Sequence, residues 1–172
     1  MMRIYPVRNS VRLILLNDNN ELLLMCIEDP RTKSIGEKAG RRFWVTVGGR
    51  IDPGETLMAA ALRELYEESG LIKDDVKFGP IVWRRELDLI IYGKPYRLKE
   101  KYFVARTKKK KVALTKLSSE ETGVVKNLSW FSFDQIVHSQ DPIYPELLVK
   151  HLPNIIAGKY PQEPVDVTLY NK

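Results

Sequence analysis

The order of apolar segments predicts an α/β fold, a mixed β-sheet with helices on both faces. Three observations carry this expectation. Two short apolar runs open the chain and are separated by a turn. One strongly helical segment stands between strand-like segments. Two further helical segments follow the last strand-like one.

Each element follows from local chemistry. Ser10–Leu16 and Glu21–Ile27 are apolar runs joined by Asn17-Asp18-Asn19-Asn20, a turn signal, and read as a hairpin. Residues 28–42 form a basic loop that is long for a compact domain. Phe43–Val47 reads as a short strand leading into Gly48-Gly49. Pro53-Gly54 marks a turn; residues 56–69 then lack Pro and Gly and are rich in Ala, Leu, Glu and Arg, good helix formers. Met58, Ala61, Leu62 and Leu65 give this helix an apolar stripe, and Gly70 stands where a C-terminal cap is expected. Phe78–Glu86 and Leu87–Tyr92 read as strands, Gly93–Pro95 as a turn, and Tyr96–Thr107 as a long alternating strand. Leu128–Phe131 is a further strand. Phe133–Ser139 and Glu146–Ala157 read as helices, with Pro153 interrupting the second. The tail from Gly158 contains Pro161 and Pro164 and is expected to be irregular and to pack on the body. No repeat or Ser/Gly linker divides the chain, so one domain over 1–172 is expected, with a core of about 10–157 and a tail of 158–172.

The 172 residues are 44% hydrophobic and 29% charged, ordinary for a soluble globular protein. Cys26 is the lone cysteine, which excludes an intrachain disulfide and suits a reducing compartment. It lies in an apolar run and reads as a buried thiol, not a nucleophile. The N-terminus has no apolar signal core, and Leu13–Leu16 is too short to cross a membrane. A cytoplasmic protein without membrane contact is expected. Lys and Arg number 28 against 22 Asp and Glu, and the net charge of +6 favours phosphate-rich ligands. Lys108–Lys111 reads first as a solvated loop and second as an RNA-contacting patch.

The chemistry concentrates on the helix at 56–69. Glu64, Glu67 and Glu68 fall at i, i+3 and i+4, which brings their carboxylates together. Like charges at this spacing destabilise an isolated helix by about 0.2–0.5 kcal/mol per pair, so something must offset them. A hard divalent cation does so, because magnesium takes oxygen ligands and keeps waters and substrate phosphates in its shell. Ala60 and Ala61, one turn earlier, are expected to leave room for a hydrated ion. The plain alternative is a solvated acidic face. Gly49, Glu55 and Arg63 upstream weigh against that alternative.

Gly49 is followed after five residues by Glu55, and after seven more by Arg63-Glu64-Leu65-Tyr66-Glu67-Glu68-Ser69-Gly70-Leu71. This segment resembles the Nudix box, the signature of hydrolases of nucleoside diphosphates linked to another moiety, and every fixed position is filled. Trp44 before Gly48-Gly49, Gly79–Arg84, Glu100–Ala105 and Leu128–Phe131 extend the resemblance over about residues 10–137. It implies a Nudix-like α/β/α sandwich. It also implies metal-dependent hydrolysis, with Mg2+ or Mn2+, of a phosphoanhydride bond in a nucleoside triphosphate, nucleotide sugar or dinucleotide. By position it implies Glu64, Glu67 and Glu68 as metal ligands, the Gly49 carbonyl as a further oxygen, and Glu64 as the favoured base. Helical spacing points Arg63 away from the metal face. The resemblance implies that Arg63 supports the glutamates by ion pairing, with Glu55 as its partner. Val47 stands where the family often has proline, for which only a local effect is expected.

Outside the box the reading is thinner. Glu100, a glutamate on the apolar face of a strand, reads as an additional ligand, and pairing with Arg84 or Arg85 is the alternative. Glu120 and Glu121 compete for the ligand role. Lys38, Arg41 and Arg42 are expected to meet substrate phosphates, Arg84 to bind substrate, and Trp44 to stack on a base or wall the cleft. Trp83 and Tyr102 carry the same two readings as Trp44. His138 and His151 are expected at the surface or at helix ends. The expected partner is a small nucleotide, and a homodimer stays open because many members of the family dimerise. An RNA 5′-end pyrophosphohydrolase is the alternative function. A non-hydrolytic isomerase or ligand-sensing domain carries less weight, because the box is intact and Cys26 sits in an early strand.

Overall fold

The computed structural model describes residues 3–170. Nine strands among them form one mixed sheet, with helices on both faces. Strands β1 (Val7–Leu16) and β2 (Leu22–Ile27) are joined by a turn that Asn17 builds. Its Oδ1 accepts hydrogen bonds from the Asn19 and Glu21 N–H groups at 2.9 and 3.0 Å.

The expected hairpin opens at once, because β1 and β2 pair only at Leu16 and Leu22. Strand β1 instead takes β6 (Lys94–Thr107) as a parallel neighbour, from Val7 opposite Arg97 to Leu16 opposite Arg106. Strand β2 takes β7 (Val125–Phe131), antiparallel. Between the diverging strands runs β4 (Phe43–Arg50). Its residues 43–46 pair with β2 and its residues 47–50 pair with β1. The strand therefore changes partner between Thr46 and Val47, and the functional site is built around that crossing.

Residues 78–86 and 87–92, read as separate strands, belong to one strand, β5 (Val76–Ile91), which forms a long hairpin with β6. The turn is Tyr92-Gly93, not 93–95. Both residues have positive φ, 50° and 83°, as a two-residue turn needs to match the strand twist. The tip carries β3 (Lys33–Ser34), so the loop at 28–42 is folded against the hairpin. The Gly93 N–H donates to the Arg31 carbonyl at 3.0 Å.

Helix α1 (Leu57–Ser69) begins where Thr56 Oγ1 accepts from the Ala59 N–H at 3.1 Å. It ends at Gly70, in the left-handed conformation. Its buried face is Ala60, Ala61, Glu64, Leu65 and Glu68, rotated by about one position from the stripe read in the sequence; Met58 is exposed. The small alanines let the helix lie close on Val11, Leu13 and Val47. Both alanines are fully buried in this core. The rotation turns Glu64 and Glu68 inward.

Helix α2 (Phe133–Val137) is shorter than expected, and α3 (Leu148–Ile156) contains Pro153. Between them β8 (Ile143–Tyr144) pairs with β4. The tail is not wholly irregular: β9 (Val165–Asp166) pairs parallel with β5, and Val167 is fully buried.

Successive residues of a strand feed opposite cores. Ile14, Leu24, Tyr102 and Val104 pack with Ile136, Leu148 and Leu152 of the late helices. Val11, Leu13, Leu23 and Phe103 pack with α1. Cys26 is buried, and burial raises its pKa. Among the described residues no helix is long and apolar enough to cross a membrane.

Candidate active site

The crossing of β4 dictates glycine twice. Gly48 has φ 139°, and a Cβ there would overlap the Val11 carbonyl. A Cβ on Gly49 would lie 2.5 Å from Glu64 Oε1. The carboxylates of α1 thus rest directly on the β4 backbone. The Gly48 N–H donates to Glu68 Oε2 at 2.7 Å. Glu68 is 1% exposed, and its Oε1 has no hydrogen-bond partner. Burial pushes the Glu68 carboxyl well above its ordinary pKa and the nearby charge of Glu64 adds to this, while Arg12 and the Gly48 N–H only partly oppose it. Burial also raises Glu64, against the pull of Arg63.

Arg63 does not point away from these carboxylates. Its Nε and Nη2 grip Glu55, each at 2.8 Å, as a two-pronged fork. Nη1 donates to Glu64 Oε1 at 2.9 Å and to Glu67 Oε2 at 3.4 Å, and Nη2 to the Arg50 carbonyl at 2.9 Å. The long side chain curls across the helix surface, which its Cα position alone does not reveal. The hydrogen bonds from Arg63 hold Glu55 below its ordinary pKa. Among the described residues no three acidic, His or Cys side chains converge in metal-binding geometry.

Behind the crossing lies a second charged network. Arg12 Nε donates to Glu100 Oε1 at 3.0 Å, and Nη1 to the carbonyls of Thr46 and Gly48 at 3.0 and 3.1 Å. Glu100 Oε2 accepts from the Tyr102 hydroxyl at 2.6 Å and from Arg85 Nη1 at 3.5 Å. Burial alone would raise Glu100; the two guanidiniums and the phenol outweigh it and leave the carboxyl below its ordinary value. Both oxygens of Glu100 are engaged, which favours the pairing alternative. The partners are Arg85 and, unforeseen, Arg12; Arg84 is exposed and faces Asp166 at 3.7 Å.

A cavity of about 680 Å³ opens in front of Gly48-Gly49. Glu64, Glu67 and Arg63 of α1 form one wall. Phe43 and Val45 of β4, and Leu87, Leu89 and Ile91 of the long hairpin, form an apolar wall. The loop after β6 brings in Glu120 and Glu121. Arg12, Arg63 and Arg85 line the cavity but are ion-paired. Arg8, Arg41 and Arg50 also line it and have no carboxylate partner among the described residues. Burial lowers the pKa of Arg8, and Arg12 and Arg50 add to that.

Of the residues expected to meet substrate, the structure brings only Arg41 to the cavity. Arg42 bridges Glu28 and Asp141 at 3.4 and 3.2 Å. Trp44 is buried, edge-on to Phe131, with Nε1 donating to Asp141. Trp83 and Tyr102 belong to the core. His138 is exposed at the end of α2, and His151 packs beside Trp83. Sequence reasoning missed Arg8, Arg12 and the pair Phe43–Tyr144, whose rings meet edge-on at 5.4 Å on the cavity wall. A signal existed for Arg12, a charged residue between Val11 and the apolar run Leu13–Leu16.

The family model for the NUDIX domain matches residues 6–150. An RNA pyrophosphohydrolase of Legionella pneumophila is 37% identical over 70 residues, 41% of this chain and 34% of that protein. This chain thus spans about a third of the length of that relative. An RNA pyrophosphohydrolase of Francisella tularensis is 27% identical over 157 residues, 82% of this chain and 90% of that one. Among solved structures, a C. elegans Ap4A hydrolase complex superposes with a TM-score of 0.62 at 22% identity, over 88% of this chain and 99% of that one. The box glutamates lie on α1, which packs on β4, and the family model spans most of the chain. This chain belongs to the Nudix hydrolase family.

Proposed function

We propose that this protein hydrolyses a phosphoanhydride bond in a small nucleoside diphosphate derivative, using Mg2+ or Mn2+ held by Glu64, Glu67 and Glu68. The observation that carries the reading is the orphaned Oε1 of Glu68. A fully buried carboxylate oxygen without a partner is costly, and an oxygen-seeking cation relieves it. Glu64 and Glu67 line the cavity and carry further hard oxygens, now bonded to Arg63, which a cation would draw together with Glu68 and the Gly49 carbonyl. Bound there, a divalent cation neutralises phosphate charge and lowers the pKa of a bound water.

The protein's own groups do the rest. Arg63, anchored by Glu55, orients Glu64 and Glu67. Glu64 is the base we favour, and its charge also raises the neighbouring Glu68 carboxyl. Glu120 and Glu121 line the same cavity and supply further carboxylates. Arg8, Arg41 and Arg50 offer free guanidiniums to phosphates. Phe43, Tyr144 and the aliphatic wall offer an apolar bed for a base. The volume suits one nucleotide-sized ligand. A single buried cysteine supports a cytoplasmic setting.

A second reading is hydrolysis at the 5′ end of RNA. It is favoured by the names of the Legionella and Francisella relatives and by the exposed Lys108–Lys111 run. One screen tests both. Phosphate and nucleotide release is measured with Mg2+ or Mn2+ on nucleoside triphosphates, nucleotide sugars, dinucleoside polyphosphates and 5′-triphosphorylated RNA. Turnover of one class supplies the substrate, and salt-sensitive turnover of the RNA alone establishes the second reading. Metal binding without turnover of any class overturns both and points to a ligand-sensing domain.

A further inference from the structure

The segment from Val112 to Glu121 has no regular secondary structure, yet it is bonded at successive points to the helix that carries the box glutamates. The last carbonyls of a helix have no intrahelical partner. In α1 those of Glu67 and Ser69 are taken by this segment. The Ala113 N–H donates to the Ser69 carbonyl at 3.0 Å. The Thr115 and Lys116 N–H groups both donate to the Glu67 carbonyl, at 2.8 and 3.1 Å. The Thr115 hydroxyl adds a bond to the Tyr66 carbonyl at 2.8 Å and one to Glu67 at 3.2 Å. Three donors thus converge on the backbone oxygen of Glu67, whose carboxylate faces the cavity.

Three residues beyond Thr115 the segment turns into the cavity wall. The Ser118 N–H donates to Glu121 Oε1 at 3.0 Å, and the Glu121 N–H donates back to Ser118 Oγ at 3.2 Å. One carboxylate oxygen of Glu121 is therefore held by the segment's own backbone. Glu121 is close enough that its charge raises the pKa values of both Glu64 and Glu68. Residues 115 and 118 can be at most about 10 Å apart along an extended chain, so the anchor on α1 limits where Glu121 can stand.

We propose that Thr115 is a positioning residue: its hydroxyl clamps this strap to the last turn of α1 and so sets the gap between Glu121 on the strap and Glu64 and Glu67 on the helix. The inference rests on the reading of the cavity as a metal-dependent hydrolytic site. Thr115 does not line the cavity, and it acts through the two elements that it joins. Because Thr115 is exposed, its hydroxyl is not needed to satisfy a buried group, and the bonds it makes serve geometry.

Thr115→Val and Thr115→Ser separate this role from a structural one. Valine keeps the branched shape and removes both side-chain bonds; serine keeps the hydroxyl. Mn2+ affinity is measured by calorimetry, amide exchange across residues 112–121 by mass spectrometry, and kcat and KM on the substrate that the screen identifies. The valine variant is expected to bind Mn2+ and turn over about tenfold more weakly, within the range seen when an outer-shell partner is lost, with KM little changed. It is also expected to exchange faster over residues 115–121, and serine is expected to restore all three. Wild-type behaviour of the valine variant in Mn2+ affinity, kcat and exchange overturns the role of Thr115 and leaves the hydrolytic site standing. Failure of serine to restore what valine loses also overturns it. A wild-type protein that neither binds Mn2+ nor turns over any substrate overturns the hydrolytic reading and this inference together.

Discussion

Arg12 Nε lies 3.0 Å from Glu100 Oε1, and the same guanidinium holds the Thr46 and Gly48 carbonyls. These carbonyls flank the point at which β4 leaves β2 for β1. The ion pair therefore fixes the backbone on which the α1 carboxylates rest. Glu100→Gln keeps the volume and leaves two guanidiniums facing an uncharged amide in a buried site. Unfolding free energy is expected to fall by about 3 kcal/mol, the scale for breaking a buried pair. Denaturant titration checks this. A variant of unchanged stability that binds Mn2+ poorly would instead make Glu100 a metal ligand.

Glu68 is raised above its ordinary carboxyl pKa by burial, with Glu64 adding to the shift. A carboxyl raised in the folded state favours folding below its ordinary value of 4.5, and that contribution is lost as pH rises through the raised folded value. Metal-free protein should therefore lose stability as pH rises above that ordinary value. Glu68→Gln should remove this component, leaving a metal-free variant that is more stable than wild type at neutral pH. Magnesium should raise the melting temperature of wild type and not of the variant, and the variant should lose most hydrolysis. Thermal melts across pH, with and without magnesium, read all of this. Full activity in the variant would remove Glu68 from the site.

Local chemistry made much of this legible. The turn at Asn17, the Gly70 cap of α1 and the box spacing are written in neighbouring residues, and the helix appeared where Ala, Leu and Glu cluster without Pro or Gly. What depends on distant partners was not legible. The rotation of α1 that buries Glu64 and Glu68 is set by how Ala60 and Ala61 meet β1 and β4, and a stripe counted from Met58 misses it by one position. Arg63 looked remote because its Cα faces another way, whereas its reach is a property of the side chain. Strands β3, β8 and β9, each two residues long, have no pattern of their own and exist only through the edges that they join.

Arg63 binds Glu55 through a planar fork while its third nitrogen contacts Glu64 and Glu67. Lysine has the charge without the fork. Arg63→Lys should lower kcat/KM by about 10–100-fold, the range for losing an orienting partner of a ligand set. Stability should change by less than about 1 kcal/mol, because the pairs are partly solvated. Glu55→Gln should have a smaller effect in the same direction, since Arg63 keeps its bond to the Arg50 carbonyl. Steady-state kinetics beside a denaturant titration separates orientation from folding. A stability loss that matches the activity loss would make Arg63 a structural residue.

Arg8 and Arg84 test which arginines meet substrate. Arg84 sits on the outer side of β5 with Asp166, and Arg8 lines the cavity with no carboxylate partner among the described residues. A guanidinium in a partly buried wall, lowered by burial and by two neighbouring guanidiniums, is relieved by an anion. Arg8→Met keeps the aliphatic stem and removes the charge. It should raise KM about tenfold, as loss of a charge-assisted hydrogen bond worth about 1.4 kcal/mol does, while kcat stays near wild type. Arg84→Met should leave both constants unchanged. Initial-rate kinetics on one substrate compares the two variants directly. An equal effect of both would mean that Arg8 acts through general surface charge; a fall in kcat at Arg8 with KM unchanged would place it at the reacting phosphate.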